Sequence, residues 1–259
     1  MQLSAGASEI PGSRWWKAQE YEQAFWQRLG DGIEAGTRER LDWYGWRASQ
    51  LRRRLDAVGW PGAGDGRVLE IGSGPVGVVS FLECEKGYAI DPLEHFYRTR
   101  PSLVALRRPG VTYLDGTGER LPFEDASCSL VIVDNVIDHT YAPRRILDEV
   151  GRVLRPDGRL YLSVNVHTAW GAQLHALLAF LHVDKGHPFT FTAPSLRRLL
   201  GAAGFTVLTE ETEDYEEARR ANLRSASLRA RIKGGAGLSE FSVSVVCRRD
   251  RPESGRPER

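Results

Sequence analysis

Several features typical of secreted, membrane-spanning or nucleic-acid-binding proteins are scarce in this sequence of 259 residues. Its three cysteines are too few and too scattered for a disulfide framework, and no Cys-x-x-Cys pair is present to hold zinc. The longest apolar run, 174–183, is interrupted by two histidines and is about half the length of a membrane span. The first residues lack the basic and apolar regions of a signal peptide. These absences predict a cytoplasmic protein with no membrane partner.

An excess of one charge is also missing. The 35 basic and 34 acidic residues leave a net charge of +1, whereas nucleic-acid binders usually have a basic domain. Hydrophobic residues make up 41% of the chain and charged residues 27%, which is ordinary for a globular protein and too apolar for disorder. We therefore expect a soluble enzyme that does not bind nucleic acid.

Six of the seven tryptophans lie in the first sixty residues. Apolar residues at three-to-four spacing predict helices at 21–29 and 41–58 in this region. Helices of this kind usually pack against a core, and their large rings can also stack on a sugar or another planar substrate. We interpret residues 1–62 as a helical cap over an active site.

From residue 67 short apolar strands alternate with helical segments, a pattern typical of an α/β fold. We predict a doubly wound, mostly parallel, seven-stranded Rossmann-like sheet in a domain spanning 63–248. A lid insertion is expected at 167–193 and a disordered tail at 249–259. The predicted strands are 68–71, 88–91, 111–114, 130–134, 160–164, 205–208 and 241–247. The predicted helices of this domain run from the glycine segment to about residue 85, over 143–154 and over 194–203.

Polar side chains fall where four of these strands end, at Glu70, Asp91, Asp134 and Asn165. In doubly wound sheets the ligand binds outside the carboxyl ends of the strands. The four side chains are therefore expected to converge on one crevice.

The segment 72–77 has the pattern G-x-G-x-x-G directly after the first strand. Such a loop lets the backbone approach a ligand, and Asp91 can accept hydrogen bonds from a ribose diol. This pair suits a nicotinamide cofactor and S-adenosylmethionine almost equally. Glu70, just before the first glycine, favours a methionine ammonium over a pyrophosphate. The polar segments 118–123 and 134–139 after the third and fourth strands point the same way.

Over roughly 65–210 the sequence resembles the class I S-adenosylmethionine-dependent methyltransferases, in particular the small-molecule branch. The matching segments are VLEIGSG (68–74), YAID (88–91), GERLPF (118–123) and RVLRPDG (152–158). The resemblance implies that the methionine end of the cofactor is held near the glycine loop and its ribose at Asp91. It places the adenine at the stretch 117–119, after the third strand, and the methionine amino group near Asp134. The implied cofactor-binding residues are Glu70, Gly72, Ser73, Gly74, Asp91, Thr117, Gly118, Glu119 and Asp134.

Two positions depart from the family pattern. Thr117 stands where the family often has an aspartate for the adenine amine, and Asp115 is the alternative partner. Val76 replaces a third glycine, which Gly77 supplies one residue later. The change at Val76 is not expected to prevent the loop from turning tightly at Gly74 and Pro75.

Methyl transfer to a hydroxyl needs a positioned acceptor and a base, for which histidine is the usual residue. We predict His139 as the base, oriented by Asp138, with His167 as the second candidate. His182 and His187 lie in the insertion that should cover the acceptor. For each histidine the alternative is a packing or surface role.

A metal-assisted variant is a weaker alternative, in which Asp134, Asp138 and His139 hold a divalent ion such as Mg²⁺ against two sugar hydroxyls. In the competing interpretation Asp134 serves the cofactor and Asp138 caps a helix or faces water. The basic segment 219–233 either attracts a phosphorylated or acidic acceptor or forms a solvated helix face.

The sequence thus predicts an enzyme that methylates a small molecule, most readily at oxygen. A sugar, glycoside or natural product is the expected acceptor, and the protein is expected to be a monomer or homodimer. One alternative is a nicotinamide-dependent oxidoreductase, which the absence of any Tyr-x-x-x-Lys pair disfavours. The other is a cofactor-binding protein that acts as a non-catalytic partner.

Overall fold

A computed structural model describes residues 12–37, 41–180 and 188–250 of the chain. One sheet of seven strands forms its centre, in the order β3-β2-β1-β4-β5-β7-β6. The strands are parallel except for β7, which runs antiparallel to both of its neighbours. This confirms the predicted doubly wound, mostly parallel sheet. The strands are β1 (Arg67–Ile71), β2 (Lys86–Asp91), β3 (Val111–Asp115), β4 (Cys128–Asp134), β5 (Leu154–Val166), β6 (Phe205–Thr212) and β7 (Phe241–Arg249).

The helices of the described residues cover both faces of this sheet. Because the order of the parallel strands reverses between β1 and β4, a crevice opens there at their carboxyl ends. The helices are α1 (Gly12–Glu34), α2 (Trp43–Ala57), α3 (Glu94–Tyr97), α4 (Pro101–Val104), α5 (Pro143–Val153), α6 (Ala169–Phe180), α7 (Ala193–Ala202), α8 (Tyr215–Arg224) and α9 (Leu228–Gly235).

Strand β4 shows why the sheet is covered on both sides. Val131 and Val133 pack with α5 and α7 on one face, whereas Leu130 and Ile132 pack with α2 on the other. All four side chains are fully buried. A strand buried on both faces reads as a continuous apolar run, which is what residues 130–133 show.

The N-terminal helices α1 and α2 form part of the core on the face of the sheet that carries Leu130 and Ile132. Leu51 and Leu55 of α2 and Trp26 of α1 are buried against Val68 and Ile132 of the sheet. The helices are therefore packed directly on the sheet, and the division into a cap at 1–62 and a domain from residue 63 stays a prediction.

The predicted helix from the glycine segment to about residue 85 is wrong. Only a single 3-10 turn, Val78–Phe81, follows the loop. Its first N–H groups are taken by the Glu70 carboxylate, which accepts hydrogen bonds from the backbone nitrogens of Val78 and Val79. The Arg108 guanidinium then binds the carbonyls of Leu82 and Cys84, so the chain leaves the turn extended toward β2.

Two boundaries from the sequence analysis fall close to these elements. The predicted lid at 167–193 contains α6, and its residues 181–187 lie outside the described part of the chain. Strand β7 includes Arg249, the first residue of the predicted tail, and the backbone nitrogen of Asp250 donates to the Gly204 carbonyl. No helix among the residues placed by the structure is long and apolar enough to cross a membrane.

Candidate functional site

A cavity of about 440 Å³ lies at the carboxyl ends of β1, β2 and β4. Its size is that of a small-molecule pocket. The glycine loop and the ends of β2 and β4 form its floor, and the N-terminal helices form the opposite wall. The predicted cofactor residues are all among its lining residues: Glu70, Gly72, Ser73, Gly74, Asp91, Thr117, Gly118, Glu119 and Asp134.

The glycine loop has a backbone that other residues would strain. Gly72 and Gly74 have φ values of +67° and +59°, in the left-handed region that favours glycine. A Cβ on Gly72 would lie 2.6 Å from Cγ1 of Val136 and closer still to its Cγ2. A Cβ on Gly74 would lie 2.6 Å from the Tyr44 hydroxyl. The loop is therefore packed between Val136, two residues after β4, and α2, and its residues line the cavity.

Two buried carboxylates hold this loop in place. Asp91 accepts hydrogen bonds from the backbone nitrogens of Gly74 and Leu93, each at 2.8 Å. Glu70 binds the following 3-10 turn through both of its oxygens. Burial raises the pKa of Glu70 to about 8 and that of Asp91 to about 7, although the backbone hydrogen bonds oppose the shift. Both groups line the cavity, where a bound cation would favour their ionised forms.

The segment after β3 forms one edge of the cavity through residues 116–119. The Glu119 carboxylate accepts hydrogen bonds from the backbone nitrogens of Tyr141 and Ala142, and burial raises its pKa. Asp115, the alternative adenine partner, does not line the cavity; its carboxylate lies 3.2 Å from Nδ1 of His95 at the surface. Thr117 lines the cavity and Asp115 does not, so the structure does not support Asp115 as the alternative adenine partner.

Asp134 ends β4 inside the cavity and has two partners. One oxygen accepts a hydrogen bond from the Ser163 hydroxyl, and the other lies 3.0 Å from Nη1 of Arg47 on α2. The Asp134 side chain is only 8% exposed, so the guanidinium balances a nearly buried charge. This ion pair ties the N-terminal helix to the end of the central strand.

His139 lines the same cavity, five residues after Asp134. Its Nε2 lies 3.8 Å from Oδ2 of Asp138, which is beyond hydrogen-bond distance. Asp138 is buried behind it and does not line the cavity. The structure therefore brings His139 to the predicted cofactor residues and Asp138 to His139.

The structure places His167 elsewhere. Its buried ring lies against His175 of α6, with centroids 4.9 Å apart, and its Nε2 is 3.8 Å from Glu240. It is absent from the cavity lining, because α6 covers it. His167 is therefore no longer a candidate base for this cavity. His182 and His187 lie outside the described residues.

The metal alternative finds no geometric support in the described ranges, which contain no group of three potential ligand residues placed to hold an ion. Asp134 turns to Arg47 and Ser163, whereas Asp138 lies behind His139 and outside the cavity lining. The predicted trio of Asp134, Asp138 and His139 therefore does not form one ligand set.

Sequence reasoning missed several residues of the site. Trp43, Tyr44 and Arg47 all reach the cavity from α2. Their spacing of three and four residues puts them on one helix face, which is the signal that was available. Asn135, directly after Asp134, lines the cavity with φ of +60°, a conformation that asparagine tolerates better than most residues.

The sequence is similar to a methyltransferase domain family and to uncharacterized proteins of mycobacteria. Residues 69–162 match a protein-family model described as a methyltransferase domain. An uncharacterized methyltransferase of Mycobacterium bovis is 36% identical over 118 residues, which are 42% of this chain and 44% of that relative. An uncharacterized protein of the same species is 26% identical over 194 residues, 73% of this chain and 63% of that relative. The chain thus spans less than half of the first relative and less than two thirds of the second.

Solved structures share the fold. A geranyl diphosphate methyltransferase in complex with S-adenosylmethionine superposes with a TM-score of 0.56 at 15% identity. The superposition covers 78% of this chain and 85% of the other. At this identity the likeness concerns the arrangement of strands and helices alone.

Proposed function

Because the chain belongs to the class I S-adenosylmethionine-dependent methyltransferase superfamily, we propose that it methylates an oxygen of a small molecule. S-adenosylmethionine is the methyl donor in this proposal, and His139 is the general base. The acceptor is a sugar, a glycoside or a natural product with a planar apolar face.

One observation carries the proposal: a single cavity contains both the glycine loop and His139. In-line methyl transfer requires donor and acceptor to be held together away from water. The histidine that follows β4 lies in the cavity that the glycine loop and Asp91 line, and no second site has to be invoked.

The residues of the cavity suit the cofactor. Gly72 and Gly74 take up left-handed backbone angles, so the loop can turn tightly at the end of β1 and line the cavity with its backbone. Asp91 retains lone pairs for ribose hydroxyls beyond its two backbone hydrogen bonds. Asp134 offers a carboxylate to the methionine ammonium, and the segment 117–119 borders the adenine. When bound, the cofactor supplies a methyl group activated by a positive sulfonium.

His139 would remove the proton of the acceptor hydroxyl as the new bond to oxygen forms. Asp138 stabilises the positively charged imidazole that results, as a buried carboxylate does beside a catalytic histidine. Among the described residues, Oδ1 of Asp138 has no hydrogen-bond partner although it is buried. Keeping such an oxygen buried costs stability, which supports a role for Asp138 as a positioning residue.

The wall opposite the glycine loop supports a planar acceptor. Trp15, Phe25 and Trp43 from the N-terminal helices line it, and Trp43 stacks on Tyr44 with ring centroids 5.7 Å apart. Aromatic rings bind the apolar faces of sugars and ring compounds through large, rigid contact areas.

Cofactor choice is tested by thermal unfolding of the purified protein with each candidate. S-adenosylmethionine at about 100 times its Kd should add about 2.7 kcal/mol of stability, and a nicotinamide dinucleotide should add none. Stabilisation by the dinucleotide alone would contradict the proposal and support an oxidoreductase.

The base is tested with His139→Ala. After a panel of glycosides and phenols has identified an acceptor, turnover by this variant should fall about 10²- to 10⁴-fold with cofactor affinity unchanged. His95→Ala is the matched control, because His95 is exposed and lies outside the cavity lining. Wild-type turnover by His139→Ala would show that His139 is not the base.

A further inference from the structure

The charges that line the cavity are strongly unequal. Five carboxylates face it, and Arg47 is the only lysine or arginine among its described lining residues. The carboxylates are Glu22, Glu70, Asp91, Glu119 and Asp134. A site of this composition suits a cationic ligand, and any anionic group of that ligand has to be met by Arg47.

Four of the five carboxylates are held by neutral donors. Glu70, Asp91 and Glu119 accept hydrogen bonds from backbone nitrogens, and Glu22 accepts one from Nε1 of Trp26. Only Asp134 is paired with a cation. The Arg47–Asp134 pair thus places one positive and one negative group side by side in a cavity that is otherwise acidic.

Arg47 uses only part of its hydrogen-bonding capacity on this pair. Its Nη1 binds Asp134, while its Nε and Nη2 have no hydrogen-bond partner in the described part of the chain. The side chain is 37% exposed, and a guanidinium can donate two parallel hydrogen bonds to one carboxylate. Trp43 and Tyr44, on the same face of α2, also line the cavity.

An adjacent cation and anion complement the α-amino acid end of S-adenosylmethionine, which carries a carboxylate and an ammonium on one carbon. We propose that Arg47 binds the methionine carboxylate of the cofactor while Asp134 accepts from its ammonium. This inference rests on the proposed function and adds a cofactor-binding element, α2, that precedes the matched family segment 69–162.

The test compares two ligands that differ only in the carboxylate: S-adenosylhomocysteine and its decarboxylated form, which keeps the amine. Calorimetric titration without acceptor should show that Arg47→Gln weakens S-adenosylhomocysteine about tenfold, at the low end for charge-assisted contacts because Arg47 is partly exposed. The decarboxylated ligand should bind the variant as well as it binds the wild type. Arg47→Lys should retain part of the affinity for S-adenosylhomocysteine, because lysine keeps the positive charge but cannot donate the two parallel hydrogen bonds of a guanidinium.

Arg53→Gln is the matched control, since Arg53 is exposed on the same helix, pairs with Glu211 and does not line the cavity. It should leave both affinities unchanged. An equal loss for both ligands in Arg47→Gln would assign Arg47 a structural role and overturn the inference, as would no loss for either. A raised acceptor KM with unchanged S-adenosylhomocysteine affinity would overturn it in favour of an acidic acceptor. Failure of the wild type to bind either ligand would overturn the proposed function itself.

Discussion

Replacing Gly72 with alanine combines two costs that the structure separates. A non-glycine residue at φ of +67° costs about 1–2 kcal/mol, because its Cβ approaches the following carbonyl. The new Cβ also overlaps both γ carbons of Val136, and overpacking of this kind costs about 1–3 kcal/mol. We therefore expect Gly72→Ala to lower the free energy of unfolding by about 2–5 kcal/mol.

Two further variants separate the backbone cost from the overlap cost when urea unfolding is followed by tryptophan fluorescence. Gly59→Ala carries the backbone cost alone, since Gly59 has φ of +64° and nothing within 4 Å of a Cβ. Adding Val136→Ala to Gly72→Ala removes the overlapping γ carbons and should restore about 1–3 kcal/mol in a double-mutant cycle. If Gly72→Ala costs no more than Gly59→Ala, or if the cycle shows no coupling, the close approach of Val136 is not the reason that this position requires glycine.

Two further predictions concern stability. Because burial raises the folded-state pKa of Asp91 to about 7 and of Glu70 to about 8, the folded state holds more protons than the unfolded one from about pH 4 upward. The free energy of unfolding should therefore fall as pH rises from 5 to 8. Asp91→Asn loses one acceptor oxygen and should be less stable at every pH, but its free energy of unfolding should fall less steeply with pH. An equally steep fall in the variant would contradict the raised pKa of Asp91. Arg152 donates to Glu149, Asp125 and the carbonyls of Leu121 and Phe123, so Arg152→Lys should cost about 1–3 kcal/mol in the same urea assay. Among the described residues the exposed Arg144 side chain pairs with Asp148 alone, so Arg144→Lys should cost less than about 0.5 kcal/mol. Equal losses for the two variants would refute the importance of the several hydrogen bonds that the Arg152 guanidinium makes.

The sheet could be predicted because each strand is specified by a pattern of neighbouring residues. Residues 130–134 form an apolar run that ends in a carboxylate, and that pattern specifies both a doubly buried strand and a polar group at its end. The same holds for the glycine loop, whose residues are constrained by their own backbone angles. Of the four strand-end residues expected to converge, Glu70, Asp91 and Asp134 line one cavity, and Asn165 does not.

The errors arise where distant residues compete for the same backbone or side chain. The segment after Gly77 would extend as a helix on local pattern, but the Arg108 guanidinium binds the carbonyls of Leu82 and Cys84. His167 follows a strand just as His139 does, yet α6 covers its ring. Neither competition can be seen in a window of neighbouring residues.

The role of α2 depends on a long-range contact of the site. Arg47 and Asp134 are 87 positions apart, and sequence pattern alone identifies only an amphipathic helix rich in tryptophan. Yet the Tyr44 hydroxyl lies over Gly74 and donates to the Ser73 carbonyl at 3.3 Å, so α2 touches the loop itself. A helix that contacts the glycine loop and balances the carboxylate ending β4 cannot move without altering this end of the cavity, where we propose that the cofactor binds. Substitutions on this face of α2 should therefore change cofactor affinity before they change acceptor choice.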